Sequence, residues 1–416
     1  MPSSFTWLDY SEFERRRMLD VIDRFGEKST VDELGLGSVR DAFADTLFPG
    51  TSTIQTRAKY FLFVPWVYQS LEYKHVSSEK FKHRARKLEV SLIYSLMKSS
   101  KTSDDGSGLI GRQSKEKLQR LPSGVYWQGL HRWGIRKFDG SEAEYRRSID
   151  NFYAICRAYK QTSGEFEGET RDDAHPSNWD ASMPAIPNGF PDEQTLSLNA
   201  QEANYLREQL MTCCRGSMLA FLVNRGESVS DITWAWDLID EVNDNLRQIL
   251  YHGQNFSEVM HGAQLLYNLM LAELTRSEDW IAGYQAELEE WWNNIAPRKA
   301  ELINWNVTEF WSFVYRINPR LRSDAKSFVD EWISLFSSAD SVHFLDHKAT
   351  RNSIEARELQ LKHGLARLTN ERALELWKGR AGADQLDLRW GSSKTILTDI
   401  LDGLGVNSPR NEVVNA

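Results

Sequence analysis

The feature that most constrains this chain is the spacing of its apolar residues, which recur every three or four positions along most of the sequence. Met18, Leu19, Ile22 and Phe25 show the pattern near the start, after a helix-capping pair formed by Ser11 and Glu14. No run of strict period-2 alternation is long enough to indicate a sheet. The spacing therefore predicts an all-α, mainly α-helical fold, with room for a minor β-hairpin near residues 123–137.

The same spacing, with Gly, Pro and capping residues as boundaries, places the helices along the chain. Residues 161–195 interrupt the pattern, since they are rich in Gly, Pro, Asp and Glu and nearly empty of aliphatic side chains. We therefore expect two helical sub-domains: residues 1–160, a loop or linker at 161–195, and residues 196–416. The predicted helices cover residues 11–25, 38–47, 54–73, 80–96, 142–159, 200–223, 235–250, 256–275, 278–295, 306–316, 324–337, 352–366, 370–379 and 393–403.

Composition narrows the class of protein. Hydrophobic residues make up 41% and charged residues 26% of the 416 positions, which is ordinary for a globular protein. No stretch approaches the ~18 apolar residues of a membrane-spanning helix, and residues 1–9 lack the pattern of an export signal. The three cysteines show neither a disulfide framework nor paired zinc ligands. We expect a cytoplasmic protein without a membrane-bound form.

Charge is unevenly distributed along the chain. Residues 57–137 hold 17 Lys and Arg against 6 Asp and Glu, a net of +11, whereas residues 138–345 carry a net of −17. A basic block of this kind is typical of a phosphate-binding surface, but it can equally dock against the acidic segment or a partner protein. The candidate nucleic-acid or anion ligands are Arg57, Lys59, Arg84, Arg86, Lys87, Arg112 and Arg120.

Arg57 and Lys59 belong to a second candidate feature. They follow Pro49-Gly50-Thr51-Ser52-Thr53, which enters the predicted helix at residue 54. Free amides at the first turn of a helix attract anions, and Arg57 lies about one turn inside. The alternative is an ordinary capped turn.

Fifteen tryptophans are many for a chain of this length. Most are expected to fill gaps between packed helices. Trp291 and Trp292 follow Glu289 and Glu290 directly, so we expect one of the two indoles to face away from the core. Because Trp is enriched at interface hot spots, these two residues are candidates for a partner interface.

The residue patterns of known catalytic and metal-binding sites are absent or incomplete in this sequence. The chain lacks a phosphate-binding Gly-rich loop, a nucleophile elbow and a His-x-Lys pair. Glu72 with His75, and Glu258 with His261, have the spacing of di-iron ligands but lack the two further glutamates. His343 and His347 form at most half a metal site, and Asp324-x-Lys326 has the ending of a nuclease motif without its strand. We assign no catalytic residue, metal ligand or cofactor.

Several longer segments carry a family resemblance. They are FTWLDY at residues 5–10, LFPGTSTIQTRAKYFLFVPW at 47–66, IGR at 110–112, LQRLPS at 118–123, FSEVMHG at 256–262, ARLTN at 366–370 and LRW at 388–390. With these segments the chain resembles an uncharacterised bacterial family, a domain of unknown function. The resemblance spans nearly the whole sequence.

The resemblance implies a context. Similar proteins are expected in anti-phage defence islands, beside helicase and phospholipase D-like nuclease genes. A helical protein without a motor or nuclease motif fits a non-catalytic scaffold, sensor or regulator in such a complex. Contact with DNA is an expectation from the basic block at residues 57–137. The alternative is an unrecognised enzyme, such as a metal-dependent or nuclease-type effector.

Overall fold

The structure of the protein is a computed structural model that describes residues 32–100, 107–164 and 176–406. The described residues form α-helices and short connections, without a β-strand, so the predicted all-α fold is confirmed. The predicted helix at residues 11–25 lies outside the described residues. The helices are α1 (Gly37–Leu47), α2 (Tyr60–Tyr73), α3 (Ser78–Ser99), α4 (Pro122–Arg132), α5 (Glu142–Gly164), α6 (Ala200–Cys213), α7 (Met218–Arg225), α8 (Asp244–Thr275), α9 (Glu278–Ile295), α10 (Lys299–Ile303), α11 (Val307–Ile317), α12 (Ser323–Ser337), α13 (Lys348–Lys362), α14 (Glu371–Leu374) and α15 (Trp390–Gly403).

The chain divides into two compact units. The α3 unit consists of Asp45–Thr233 and Arg389–Ala416, and the α8 unit of Met1–Ala44 and Trp234–Leu388, each as far as the structure describes it. The division predicted at residues 161–195 is therefore corrected. Helices α6 and α7, placed in the C-terminal domain by the sequence, belong with α2 to α5, and α15 returns from the chain end to pack on α6 and α7.

The return of α15 depends on one residue without a side chain. A Cβ at Gly403 would lie 2.7 Å from Cβ of Ala203 and 3.0 Å from Cβ of Leu198, so only glycine allows this approach. The contact joins residues about 200 positions apart in the sequence. Local composition carries no trace of such a contact, which explains the wrong boundary.

Aromatic residues from four helices meet in the core of the α3 unit. Tyr68 of α2 lies with its ring centroid 5.5 Å from Phe81 of α3 and 5.3 Å from Trp127 of α4. Tyr145 of α5 closes the group at 5.4 Å from Trp127. Such aromatic contacts add about 0.5–1.5 kcal/mol each beyond area burial, so the cluster fixes α3 on its neighbours.

Residues 122–132 form helix α4, and the predicted hairpin at 123–137 is wrong. Pro122 occupies the first helical position, where its missing N–H costs nothing. Tyr126, Trp127 and Leu130 then bury one face at helical spacing. An isolated bridge between Arg136 and Trp179 is the extended pairing in this part of the described chain.

Helix α8 is the centre of its unit, with α9, α12 and α13 packed against it. It runs without interruption over 32 residues, whereas the sequence predicted two helices at 235–250 and 256–275. Gly253 lies within it, and a Cβ there would be 2.7 Å from Cδ1 of Leu388 and 3.4 Å from the ring of Phe43. This glycine admits close packing and does not end the helix.

Polar side chains on one face of α8 bind the backbone of a non-helical segment of the same unit. Their positions, 257, 261, 264 and 268, follow helical spacing, and their partners are the backbone carbonyls of residues 381, 382, 383 and 386. The bonds run from Ser257 Oγ to Leu386 O (2.7 Å), His261 Nε2 to Ala383 O (3.1 Å), Gln264 Nε2 to Gly382 O (2.8 Å) and Asn268 Nδ2 to Ala381 O (2.9 Å). We call this set the α8 ladder.

Within the described residues, every helix is too short or too polar to cross a lipid bilayer.

Candidate nucleic-acid interface

Helix α3 carries the densest part of the basic block. Its buried face contains Phe81, Ala85, Glu89, Leu92 and Leu96, which recur at the spacing of one helical face. The opposite face is thereby directed to solvent along the 22 residues of the helix.

The outward face of α3 forms a row of cations. Lys80, Arg84, Lys87 and Lys98 are exposed and lie at i, i+4, i+7 and i+18, which places them on one side of the helix. These four cations form no ion pair with any residue that the structure describes. At a rise of 1.5 Å per residue the row is about 27 Å long. We call it the α3 row. Its remaining exposed members are His83 and Tyr94.

Buried polar contacts hold α3 in position. Glu89 is 1% exposed and accepts hydrogen bonds from both the N–H and the hydroxyl of Ser123, each at 2.9 Å. Burial raises the pKa of the Glu89 carboxyl to about 7, although the two bonds from Ser123 favour the charged form. The contact ties the middle of α3 to the first turn of α4.

Arg86 joins a second basic segment, residues 116–120, to α3. Its guanidinium donates to the carbonyl oxygens of Glu116, at 2.6 Å, and Leu118, at 3.0 Å. Tyr94 donates its hydroxyl to the Glu116 carboxylate, which ties the same segment to α3 at a second point. Lys117 and Arg120 are exposed on this segment. Arg86 therefore positions neighbouring cations, which differs from its predicted role as a direct ligand.

Of the other predicted ligands in the block, Arg84, Lys87, Arg112 and Arg120 are exposed. Arg84 and Lys87 lie together in the α3 row, and Arg120 belongs to the segment that Arg86 holds. Lys80 and Lys98 were not among the predicted ligands. Their i, i+4, i+7 and i+18 spacing is the signal that identifies them.

Arg57 is engaged inside the α3 unit, so its role as an anion ligand at a helix start is corrected. Its Nε lies 3.0 Å from both carboxylate oxygens of Asp399, and the Ala58 N–H donates to the same carboxylate at 2.7 Å. The arrangement resembles the predicted anion site, with the protein's own carboxylate as the anion. Helix α2 begins at Tyr60 and not at residue 54, because the preceding amides have other partners: those of Thr56 and Arg57 donate to the hydroxyl of Tyr126.

Lys59 is likewise corrected. It is 6% exposed, pairs with the buried carboxylate of Glu202, and lies above the rings of Phe63 and Trp66. Burial lowers the pKa of the Lys59 ammonium, and the bond to Glu202 opposes that shift. Lys137 also pairs internally, with Asp180 at 3.0 Å. Part of the basic block therefore neutralises acidic residues of its own unit, as one of the two alternatives predicted.

Trp291 is buried, and its predicted place at a partner interface is corrected. It is 5% exposed, and its indole N–H donates to the carbonyl of Glu258 at 2.7 Å. Its ring lies over the backbone of α8 at Gly262, where no side chain intervenes. Trp292 is half-buried beside Phe336 and Phe344, so a partner contact by Trp292 stays a prediction.

The Glu-x-x-His pairs serve structural contacts. Glu72 accepts hydrogen bonds from Tyr145, Asn178 and Trp179, whereas His75 is exposed in a left-handed backbone conformation beyond the helix end. Glu258 pairs with Arg298, and His261 belongs to the α8 ladder. The side chains of each pair thus have different partners.

The other metal and nuclease candidates are similarly placed. His343 and His347 are exposed, with His343 Nδ1 3.5 Å from Asp346. Asp324 contacts Arg322 at 2.6 Å, and Lys326 pairs with Asp330. Among the described residues, no group of three or more His, Cys, Asp or Glu is arranged to hold a metal ion.

The fold and the α3 row define an all-α protein with a cationic helix face. The chain belongs to a family of unknown function, DUF6361, whose model matches residues 2–404. Neither a curated protein nor a solved structure matches this chain.

Proposed function

We propose that this chain is a non-catalytic, DNA-contacting subunit of a multi-protein bacterial anti-phage defence system. It acts in the cytoplasm as a scaffold, sensor or regulator, together with a helicase and a phospholipase D-like nuclease. Its contact with DNA is made by the α3 row and the neighbouring segment that carries Lys117 and Arg120.

The observation that carries the DNA contact is the unpaired state of the α3 row. Cations that serve only internal docking have internal partners, as Lys59 and Lys137 do. Lys80, Arg84, Lys87 and Lys98 have none among the described residues, although the protein as a whole carries a net charge of −9. Keeping like charges adjacent on one helix costs free energy, so the row is better explained by an anionic ligand.

The partners and the defence role are supported by the family resemblance described above. The resemblance implies neighbouring helicase and nuclease genes, which would supply motor and cleavage activities. A subunit that contributes a fixed cationic helix would hold DNA for those partners. The half-buried Trp292, with Lys299 Nζ 5.7 Å from its ring centre, is the candidate for a protein contact.

The test is co-expression of the chain with its neighbouring genes, followed by affinity purification and phage challenge. We expect the chain to co-purify with a helicase or nuclease and protection to be lost when this gene alone is deleted. If the chain purifies alone and protects cells without its neighbours, the subunit role is wrong and an independent effector replaces it.

A paired variant tests the DNA contact within the same assembly. Arg84→Glu with Lys87→Glu should weaken DNA binding without releasing the partners, because both side chains are exposed. Arg320→Glu, a reversal at an exposed cation of the α8 unit, is the matched control and should leave binding unchanged. Equal binding by both variants would contradict the DNA contact.

A further inference from the structure

The α3 row also indicates which form of nucleic acid it suits. Resting on the proposed function, we infer that its ligand is duplex nucleic acid, held through the phosphates without readout of base sequence. Three features of the α3 unit support a duplex: the geometry of the row, the positions of the aromatic residues and the side chains that the row contains.

The row lies along one face of a single 22-residue helix whose position is fixed. About 27 Å of helix corresponds to roughly 8 base pairs of a duplex, which presents about 16 phosphate charges over that length. The helix is held at its middle by Glu89, at its side by Arg86, and at its first turn by Asp150, which accepts from the hydroxyl of Ser78 at 2.5 Å. A rigid row of charges binds a rigid ligand of matching length with little ordering cost.

Single strands need a different surface. Proteins that hold them stack successive bases on exposed aromatic side chains. In the α3 unit the indole rings of Trp66, Trp127, Trp133 and Trp179 are at most 4% exposed, and Tyr73, which is 74% exposed, lies on α2 and not on the row. Of the Phe, Tyr and Trp side chains described on α3, Tyr94 is the exposed one, at 41%, and its hydroxyl donates to Glu116. One tethered ring does not make a stacking platform, so the surface favours a ligand whose bases are already paired.

The side chains of the row favour phosphate contact over base contact. Reading of bases in the major groove relies on Asn or Gln for adenine and on Arg for guanine. The exposed positions of the row are occupied by Lys80, His83, Arg84, Lys87, Tyr94 and Lys98, with a single Arg and neither Asn nor Gln. Lysine acts as a point charge toward phosphate. The binding should therefore be independent of sequence and strongly dependent on salt.

The test compares three ligands for the full chain by fluorescence anisotropy at low salt. Two are duplexes of unrelated sequence, about 20 base pairs long, which exceeds the ~8 base pairs that the row spans. The third is an oligothymidine strand of the same length. We expect the two duplexes to bind equally and more tightly than the single strand. Lys80→Gln with Arg84→Gln and Lys87→Gln should weaken duplex binding about tenfold or more, and Arg320→Gln, at an exposed cation of the α8 unit, should leave it unchanged.

The outcomes separate the inference from the function on which it rests. Tighter binding of the oligothymidine strand, lost in Tyr94→Ala, would overturn the duplex assignment and leave the DNA contact in place. A clear preference for one duplex sequence would overturn the phosphate-only mode. If none of the three ligands binds, or if the triple variant binds like the wild type, the DNA contact itself is wrong. Circular dichroism of each variant establishes that it is folded.

Discussion

Asp399 of α15 holds Arg57 with both carboxylate oxygens, each 3.0 Å from the guanidinium Nε, and the two residues are 342 positions apart in the sequence. The Arg57 side chain is 12% exposed and the Asp399 side chain is 8% exposed. The pair joins α15 to the segment before α2, for which the sequence predicted either an anion site or an ordinary capped turn. Within the α3 unit, the acidic partner required by Arg57 is therefore supplied by the protein.

The first prediction concerns this pair. Arg57→Ala should lower the free energy of unfolding by about 3–5 kcal/mol, because it leaves a buried carboxylate without its counter-ion. Arg57→Met with Asp399→Leu should cost less than Arg57→Ala alone, since no uncompensated charge remains. Urea unfolding gives both values, with the exposed Arg84→Ala as a control expected within about 0.5 kcal/mol of wild type. Equal stability of Arg57→Ala and wild type would show that the pair does not hold α15.

The second prediction follows from Glu89. Its pKa is about 7 when folded, above the ordinary 4.5. A raised carboxyl pKa means that the folded state binds the proton more tightly, so this contribution to stability is complete below about pH 4.5 and is lost as the pH rises through about 7. Glu89→Gln should therefore match wild type near pH 4.5 and be more stable by on the order of 2–4 kcal/mol at pH 8.

The comparison is made variant against wild type because other groups titrate in the same range. Burial lowers the pKa of His261 to about 4, so its contribution runs in the opposite direction, lost as the pH falls below about 6.5. The difference between the two unfolding curves removes that term. A difference that does not change between pH 4.5 and 8 would mean that Glu89 titrates normally.

The third prediction concerns Gly262. Alanine in the middle of a helix usually stabilises by about 0.5–1 kcal/mol relative to glycine, but here a Cβ would overlap the ring of Trp291. Gly262→Ala should destabilise by about 1–3 kcal/mol through overpacking. The matched control is Gly124→Ala in α4, where the nearest atom would be 3.8 Å away, and which should be neutral or stabilising. Trp291→Phe should reduce the cost of Gly262→Ala; strictly additive effects would contradict this packing.

The fourth prediction concerns the α8 ladder. Asn268 is fully buried, and its Oδ1 accepts from the Ala381 amide at 2.8 Å and from the Trp377 indole at 3.3 Å. Asn268→Leu leaves these donors unsatisfied, at about 1–3 kcal/mol each, and should speed hydrogen exchange at Ala381. Asn268 Nδ2 also donates to the carbonyl of Gln264, four residues earlier, at 2.9 Å. Asn204→Leu is the control, because Asn204 is exposed and its Nδ2 makes the same bond to the carbonyl of Ala200, at 2.8 Å. Unchanged exchange at Ala381 would show that the ladder does not fasten residues 381–386.

These contacts show which features the sequence could predict. Helix α9 begins at Glu278 and ends at Ile295, as the apolar spacing predicted, because local periodicity alone decides a helix of this kind. Arg84 and Lys87 were predicted as ligands from the local excess of basic residues, and both are exposed. The roles of Arg57, Lys59 and Trp291 depend on Asp399, Glu202 and Gly262, which are remote in sequence. A single sequence has no signal for such pairings. Residues that have partners inside the protein were therefore predicted to contact a ligand or another protein.

The central claim is that the α3 row binds the phosphates of DNA, and the salt dependence of binding tests it most directly. The affinity of the full chain for a duplex is measured between about 50 and 200 mM salt, for the wild type and for the single variants Lys80→Gln, Arg84→Gln and Lys87→Gln. The account predicts that each variant flattens the slope of log affinity against log salt by about 0.9, whatever the duplex sequence. Slopes that equal the wild-type value in all three variants would contradict it.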